Sequence, residues 1–168
     1  MINIFSQRIQ TPLGEMKVCG TEEKICLLWF IDKKGLPSDL AILEHTFSCK
    51  IIHKEFPLFK ELRSQLSEYF EGKRKEFSIP VFCIGSDFQK NVWGTLAKIP
   101  YGSTVSYKDQ ARALNRPSAV RAVANADGAN KISILIPCHR VLGSDGSLKG
   151  YAGGVWRKEK LLTLESKF

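Results

Sequence analysis

The spacing of apolar residues changes along this chain, and the change restricts the fold to one that mixes strands and helices. Between Met1 and Phe30, short apolar stretches separated by glycine and proline are typical of strands in a small sheet. Further along, apolar residues recur every three or four positions, which predicts amphipathic helices over residues 38–48 and 57–71. The pattern therefore predicts an α+β fold.

A short connection divides this pattern into two parts. A last strand is predicted near residues 77–83, and the glycine-containing segment 84–86 follows it. The chain has 168 residues, which is enough for two small domains with cores of their own. We expect an N-terminal α/β domain over residues 1–85 and a second domain over residues 86–168.

The charge is distributed unevenly between the two parts. Residues 1–82 hold 12 basic and 11 acidic side chains, whereas residues 83–168 hold 13 basic and 6 acidic side chains. A basic half-chain attracts phosphates and favours binding to a polyanion such as nucleic acid. A basic surface that serves only solubility has the same composition, so charge nominates nucleic acid without establishing it.

The sequence also carries signals about its compartment. Its apolar runs are shorter than the roughly 20 residues that a membrane helix needs. Its first ten residues include Ser6, Gln7 and Arg8, where a signal peptide would need a continuous apolar segment. We therefore expect a cytoplasmic protein, or a nuclear one in a eukaryote.

Five cysteines, an odd number, are expected to be reduced thiols because no export signal is present. The two closest of them are too far apart for paired zinc ligands, and His45 and His53 fall within helix or strand patterns. The sequence therefore predicts no metal site. Four of the cysteines lie in apolar surroundings typical of core packing: Cys19, Cys26, Cys49 and Cys83.

Three helices are predicted in the second half. The first follows the connection and ends before Pro100. The second, over residues 106–114, and the third, over residues 118–125, are joined by a tight turn that contains Pro117. Two short helices joined in this way are typical of a helix-turn-helix, although many helical hairpins bind nothing.

The third of these helices has a distinctive face. Ala119, Ala122 and Ala126 are small, and Arg121 is the one long cation among them. Small side chains would let the helix approach DNA closely while a single basic side chain protrudes. This pattern favours the DNA-binding interpretation of the helix pair.

Cys138 is the strongest candidate for a reactive side chain. The apolar run over residues 132–136 is predicted to form a short buried strand, and Pro137 fixes the backbone just before the thiol. A neighbouring base or cation that lowers the pKa makes a cysteine nucleophilic, and His139 and Arg140 supply one of each. Taken alone, a Cys-His pair beside an apolar run is also typical of a packed core.

Several motifs of the second half occur in the order and at the spacing of a known family. They are Ile134–Val141 (ILIPCHRV), Gly150–Gly154 (GYAGG) and Lys158–Glu165 (KEKLLTLE). Over essentially all of residues 86–165 the chain resembles the O6-alkylguanine-DNA alkyltransferases, also called methylated-DNA-protein-cysteine methyltransferases. The resemblance implies an N-terminal ribonuclease H-like domain, which this chain matches only loosely, and a mainly helical, winged-helix-like domain with a helix-turn-helix.

The resemblance also implies a reaction. The family flips an alkylated guanine out of the duplex, because a protein thiol cannot reach the O6 alkyl carbon of a stacked base. Cys138 would accept the alkyl group, His139 would take the thiol proton through a water molecule, and Glu165 would orient that histidine. Tyr107 would donate a proton to the departing guanine, and Asn130 would brace the turn around the thiol.

A DNA-binding surface and a base pocket follow from the same resemblance. Arg121 matches the side chain that fills the space left by the flipped base. The expected partner is duplex DNA containing O6-alkylguanine, with O4-alkylthymine as a second candidate lesion, bound by a monomer without a cofactor. The residues expected to contact DNA are Tyr107, Ser118, Arg121, Ala122 and Arg140, and those expected to line the pocket are Val141, Tyr151, Ala152 and Gly153.

Two other functions stay open at this point. One is a lesion binder of the alkyltransferase-like type that lacks the acceptor cysteine, and the presence of Cys138 argues against it. The other is a thiol hydrolase using Cys138 and His139, which would explain neither the basic half nor the helix of Arg121.

The chain also departs from the family pattern. Lys131 stands where many members have proline, and the first domain has no matching ligand set for the structural zinc that some members carry.

Overall fold

The apolar stretches near the N-terminus form a sheet in the computed structural model of the protein, which describes residues 2–168. Its four strands are β1 (Ile4–Thr11), β2 (Gly14–Gly20), β3 (Ile25–Phe30) and β4 (Ile51–His53). Their order is β3-β2-β1-β4; β2 is antiparallel to both β1 and β3, and β4 is parallel to β1. All six residues of β3 are buried, which explains why this strand is continuously apolar.

Two helices complete this first unit, which spans Met1–Ile84. They are α1 (Leu36–Phe47) and α2 (Pro57–Phe70), and both begin with a proline in the first turn, where the missing N–H costs no hydrogen bond. The buried apolar face of α2 repeats at three- and four-residue spacing: Phe59, Leu62, Leu66 and Tyr69. The sheet and these helices confirm the predicted α+β fold.

The strand predicted near residues 77–83 is not formed. In the described chain, this segment contributes only an isolated parallel bridge between Val81 and Ile25. Ile25 donates its N–H to the Pro80 carbonyl at 2.9 Å, and Phe82 donates to the Ile25 carbonyl at 2.8 Å. Pro80 has no N–H to continue the ladder, so the apolar segment lies against β3 without becoming a strand.

The second unit spans Gly85–Phe168 and is mainly helical. Two of its helices begin with capping boxes, Ser86 with Gln89 and Ser106 with Asp109, which satisfy backbone N–H groups that the helices leave open. A two-residue parallel pairing joins β5 (Val105–Ser106) to β6 (Val141–Leu142). The helices are α3 (Asp87–Leu96), α4 (Tyr107–Ala113), α5 (Val120–Gly128) and α6 (Val155–Lys167).

The pair α4 and α5 corresponds to the predicted helix-turn-helix. Pro117 lies in the turn between them, and Asn115 has a left-handed backbone (φ 58°), which asparagine tolerates better than most residues. Arg121 and Ala122 are exposed on α5, as the DNA-binding interpretation requires. Ala126 differs from the prediction, because it is buried and its carbonyl accepts a hydrogen bond from the Trp93 indole at 2.8 Å.

The strand predicted over residues 132–136 is wrong, because only Ile132 makes an isolated bridge and residues 133–136 form a turn and a bend. Asn130 donates from its side-chain amide to the carbonyls of Ile132 (3.2 Å) and Ile136 (2.9 Å), and accepts from the Ile132 N–H (3.0 Å). Together with turn bonds from the Leu135 N–H to the Ser133 carbonyl (2.7 Å) and from the Ile136 N–H to the Ile132 carbonyl (3.2 Å), they use backbone groups that a partner strand would need. Ile134 has a left-handed backbone (φ 69°), a strained conformation for a β-branched residue that a regular strand excludes.

The cysteines outside position 138 fall into two classes. Cys19 and Cys26 are buried, and burial raises the pKa of Cys19 to about 12 and that of Cys26 to about 11, so both behave as core residues. Cys49 and Cys83 are half-buried, which is less than the prediction of core packing implies. Within residues 2–168, no cluster of His, Cys, Asp and Glu is arranged to hold a metal ion, and no helix is long and apolar enough to cross a membrane.

Candidate active site

The thiol of Cys138 lies at the start of a 3-10 turn formed by Cys138–Arg140, directly after the turns that Asn130 holds. Cys138 is 8% exposed, and burial raises the pKa of its thiol to about 11. A hydrogen bond with the Asn130 side chain and the positive charge of Lys158 oppose this shift, whereas the charge of Asp127 adds to it. At neutral pH the thiol is therefore protonated, and a reaction at sulfur needs a base inside the site.

His139 is placed to be that base. Its ring is fully buried, and Nε2 lies 2.8 Å from Glu165 Oε2. Burial lowers the pKa of His139, even though the hydrogen bond and charge of Glu165 oppose this effect, so the ring is neutral near pH 7. A neutral imidazole that donates from Nε2 to a carboxylate has its lone pair on Nδ1. Nδ1 has no hydrogen-bond partner among the described residues, and it can therefore accept a proton.

Glu165 is held in its ionised form by two neighbours. Burial alone would raise the pKa of this carboxyl, but the hydrogen bonds from His139 and Arg140 outweigh burial and lower the pKa to about 2. The Arg140 guanidinium donates to Oε1 and Oε2 at 2.8 and 2.9 Å. A buried carboxylate with this many donors stays charged across the physiological range and fixes the histidine ring.

Arg140 differs from its prediction as a DNA contact. Its residue is 7% exposed, and its remaining guanidinium nitrogen donates to the Ile99 carbonyl at 2.7 Å. The side chain is thus used to orient Glu165 and to tie the 3-10 turn to the end of the α3 region. Sequence alone could not distinguish these roles, because an arginine beside a reactive cysteine suits either one.

Tyr107 begins α4 and is half-buried, with its hydroxyl donating to the Lys149 carbonyl at 3.4 Å. Burial raises the pKa of the phenol to about 12, and the charges of Asp127 and Cys138 act in the same direction. The phenol therefore stays protonated at neutral pH. It is able to serve as a hydrogen-bond or proton donor.

Lys158 is a residue of the site to which the sequence analysis gave no role. It is fully buried on α6, and its ammonium donates to the carbonyls of Lys149 (2.9 Å) and Gly150 (3.3 Å). Its Nζ lies 5.7 Å from the centre of the Tyr107 ring. Burial lowers the pKa of Lys158, while its charge lowers that of Cys138. The signal in the sequence was the helical spacing of Lys158 with the buried residues Leu161 and Glu165.

The residues predicted to line a base pocket lie in β6 and in the loop before α6. Val141 and Gly153 are buried, and Tyr151 and Ala152 are half-buried. The loop is tied down from α6, because Arg157 donates to the Gly153 carbonyl at 3.0 Å. Tyr151 lies within electrostatic range of the thiol, since the charge of Cys138 contributes, after burial, to raising the Tyr151 pKa.

The predicted DNA-contacting residues other than Tyr107 and Arg140 lie on or just before α5. Ser118, Arg121 and Ala122 are all exposed. The face of α5 that points inward carries Val123, Ala126 and Asp127. The helix is therefore amphipathic, with one face in the core of the second unit and the other bearing a lone arginine between small side chains.

Comparison with known proteins places both units in one family. Residues 4–82 match the ribonuclease-like domain of 6-O-methylguanine DNA methyltransferases, and residues 87–167 match the DNA binding domain of the same proteins. A methylated-DNA--protein-cysteine methyltransferase of Methanosarcina barkeri is 42% identical over 160 residues, which cover 94% of each chain. The constitutive enzyme of that name from Bacillus subtilis is 42% identical over 144 residues, 86% of this chain and 84% of the relative.

Solved structures agree with the sequence matches. The crystal structure of Mycobacterium tuberculosis O6-methylguanine methyltransferase superimposes with a TM-score of 0.82 at 35% identity, covering 99% of this chain and 94% of that one. The same bacterium's protein in complex with DNA gives a TM-score of 0.83 at 34% identity, with the same coverage. On its sequence, its fold and the side chains around Cys138, this chain belongs to the 6-O-methylguanine DNA methyltransferase family.

Proposed function

We propose that this protein repairs duplex DNA by transferring the alkyl group of O6-alkylguanine irreversibly to its own Cys138. The observation that carries the proposal is a buried thiol followed in the chain by a buried histidine, which Glu165 holds through Nε2 and whose lowered pKa keeps it neutral. Relatives named methylated-DNA--protein-cysteine methyltransferases and a neighbour solved in complex with DNA support the same reaction. O4-alkylthymine is a second candidate lesion.

The reaction balances with the groups of this site. His139 takes the thiol proton at Nδ1 through a water molecule, and the Cys138 sulfur attacks the alkyl carbon. The carbon–oxygen bond to guanine breaks as the carbon–sulfur bond forms, so the electron pair leaves with the base. Tyr107, protonated at neutral pH, supplies the proton that the departing guanine requires, and the proton held on His139 balances the one given up.

Orientation is supplied by residues that do not touch the substrate. Glu165 and Arg140 hold the imidazole, and Asn130 holds the turns that present the thiol. Such fixed geometry lowers the barrier because the reacting groups do not have to be ordered at the moment of reaction. Val141 and the loop over residues 151–153 are the proposed walls around the base.

Access to the base requires base flipping. Arg121 is exposed on α5 between small residues, so it is the proposed side chain that enters the duplex when guanine leaves the stack. Ser118 and Ala122 are proposed to lie against the DNA backbone, where short side chains permit close approach. A repair protein with this substrate works where the chromosome is, and for bacterial or archaeal relatives we infer the cytoplasm.

The proposal is tested by transfer of a labelled methyl group from O6-methylguanine in duplex DNA to the protein. Mass spectrometry of the product should locate the methyl group on Cys138, and Cys138→Ala should abolish transfer while duplex binding stays within a few-fold. Cys49→Ala is the matched control, because Cys49 is more accessible than Cys138 yet lies in the other unit. Label on Cys49 or on Cys83, or transfer by Cys138→Ala, would contradict the assignment.

A further inference from the structure

A buried polar network links three helices of the second unit and has no part in the proposed reaction. Gln110 of α4 donates from Nε2 to Asp127 Oδ1 of α5 at 2.8 Å and to Thr95 Oγ1 of α3 at 3.0 Å. Gln110 is 2% exposed and Asp127 is 4% exposed. The network thus joins the helix that begins at Tyr107 to the helix that carries Arg121.

Two atoms of this network lack a hydrogen-bond partner among the described residues, and they belong to the same pair of side chains. They are Gln110 Oε1 and Asp127 Oδ2. With an ionised carboxylate both atoms are acceptors, so neither can satisfy the other, and buried acceptors without donors are costly. A protonated carboxyl has one O–H donor. A carboxamide and a carboxyl that share one N–H···O bond can place their second oxygens side by side, so a proton on Oδ2 would satisfy both atoms.

The surroundings favour this protonated form. Titratable groups from three other elements interact electrostatically with Asp127. The charge of Lys158 on α6 lowers the pKa of Asp127, whereas a charge on Asp127 raises the pKa of Tyr107 on α4 and of Cys138 in the 3-10 turn. Burial is the largest effect and raises the pKa of Asp127 to about 7, although the Gln110 hydrogen bond and the Lys158 charge act against it. The Lys158 ammonium is already bonded to two backbone carbonyls of the loop before α6.

We propose that Asp127 and Gln110 form a proton-sharing acid–amide pair, and that Asp127 is thereby a positioning residue for alkyl transfer. The protonated pair holds α4 against α5 with two hydrogen bonds. Loss of the proton leaves two acceptors facing each other between these helices and adds a negative charge that disfavours the Cys138 thiolate. Both effects slow transfer as Asp127 ionises. This kinetic consequence rests on the proposed function, whereas the proton itself is measurable without any substrate.

The kinetic test uses Asp127→Asn, because an asparagine amide donates to Gln110 Oε1 and accepts from Gln110 Nε2 at every pH. Single-turnover rates with methylated duplex DNA are measured from pH 6 to pH 8.5 for the wild type and the variant. The ratio of wild-type rate to variant rate should be near one at pH 6 and fall several-fold by pH 8.5. Asp145→Asn is the matched control, since Asp145 is exposed in a loop, and its ratio should not change with pH.

The substrate-free test is a carbon NMR titration of the protein labelled at its aspartate carboxyl carbons. One aspartate should titrate near pH 7 in the wild type, and this signal should be missing from Asp127→Asn. A wild type in which every aspartate titrates in the ordinary acidic range overturns the proposal, whether or not the variant folds. A neutral titration with a flat rate ratio overturns the positioning role. A neutral titration in a protein that transfers no methyl group contradicts the proposed function alone.

Discussion

At the scale of single residues, the site depends on which buried groups keep their charge. Glu165 stays ionised because His139 and Arg140 donate to it, whereas burial leaves the His139 ring and the Cys138 thiol neutral. A neutral buried thiol reacts slowly with oxidants and electrophiles from solution, since the thiolate is the reactive form. Under the proposed function, the arrangement would therefore keep the Cys138 thiol intact until a base lesion enters the site.

Glu165→Gln should reduce both alkyl transfer and stability. Without the charge, His139 is no longer held firmly as an Nε2 donor, so the single-turnover rate should fall by about 100-fold. Arg140 would also be left buried without its anion, and breaking such a pair costs about 3–5 kcal/mol of unfolding free energy. Quenched single-turnover reactions with methylated duplex DNA measure the transfer rate, and urea unfolding at pH 7 measures the stability. Glu159→Gln, on the exposed side of the same helix, should change neither.

The free energy of unfolding should depend on pH through the carboxyl group of Glu165. The pKa of Glu165 is about 2 in the folded protein, below its ordinary value of 4.5. The lowered pKa of Glu165 therefore contributes about 3 kcal/mol to the free energy of unfolding. This contribution is present above pH 4.5 and is lost as the pH falls towards 2. Acid unfolding followed by circular dichroism should show a steeper loss of stability below pH 4.5 in the wild type than in Glu165→Gln. Equal slopes would mean that Glu165 is not held as a carboxylate.

Arg121→Ala should weaken repair of duplex DNA more than repair of a single-stranded oligonucleotide. Holding a base outside the stack costs a few kcal/mol, and the single strand does not incur this cost. Affinity for undamaged duplex should fall only slightly, whereas loss of a phosphate contact would reduce both the affinity and its salt dependence by about one charge. Arg112→Ala removes an exposed arginine of α4 and serves as the comparison. If repair of both substrates falls equally, Arg121 is a phosphate contact.

At the scale of elements, the decisive piece is the irregular segment between α5 and the 3-10 turn. Four of its five residues, 132–136, are buried, yet it is irregular, because its backbone groups bond to one another across turns and to one side chain, Asn130. The left-handed Ile134 is tolerated only because these bonds hold it there. Side-chain hydrogen bonds from Asn130 therefore help to hold the segment that presents the thiol. In a sheet, a neighbouring strand would supply backbone hydrogen bonds instead.

Asn130→Ala should destabilise this segment and misplace the thiol. The buried Ile132 N–H would lose its partner, while the carbonyls of Ile132 and Ile136 would each lose one hydrogen bond and keep another from the backbone. A buried unsatisfied donor costs about 1–3 kcal/mol, so the free energy of unfolding should fall by about that amount. Urea unfolding measures this loss, and alkyl transfer should slow in the same variant. Asn91→Ala, at an exposed position on α3, should have little effect on either measurement. Unchanged stability in Asn130→Ala would show that the turns hold themselves.

At the scale of the whole molecule, each protein should act once. A thioether formed on Cys138 has a poor leaving group, so product should saturate near one equivalent when methylated duplex is in tenfold excess. The added carbon must fit beside a thiol that is 8% exposed, and overpacking typically costs about 1–3 kcal/mol, so the reacted protein should melt at a lower temperature. Linear product formation beyond one equivalent would instead indicate a thiol hydrolase with turnover.

The sequence by itself determined the elements that depend on neighbouring residues. Capping chemistry and periodicity within a few positions explain where two helices begin, at Ser86 and Ser106. They also explain the buried face of α2 and the turn at Pro117. The Pro137-Cys138-His139-Arg140 motif and its spacing to Glu165 also carry the resemblance to the family in the sequence alone. These features could be predicted because the interactions that produce them join residues less than one or two turns apart, or because a resemblance carries the spacing.

Only the tertiary structure decided the features that depend on distant partners. Three features join residues from separate elements: the burial of Arg140 against Glu165, the buried ammonium of Lys158 and the pairing of Asp127 with Gln110. The turns at 132–136 depend on the buried side chain of Asn130, whose orientation the apolar pattern does not specify. An apolar run has the same pattern in a strand and in braced turns, and a charged side chain has the same letter when it is exposed and when it is buried. Which state is adopted depends on whether the fold supplies the hydrogen-bond partners that offset the loss of water.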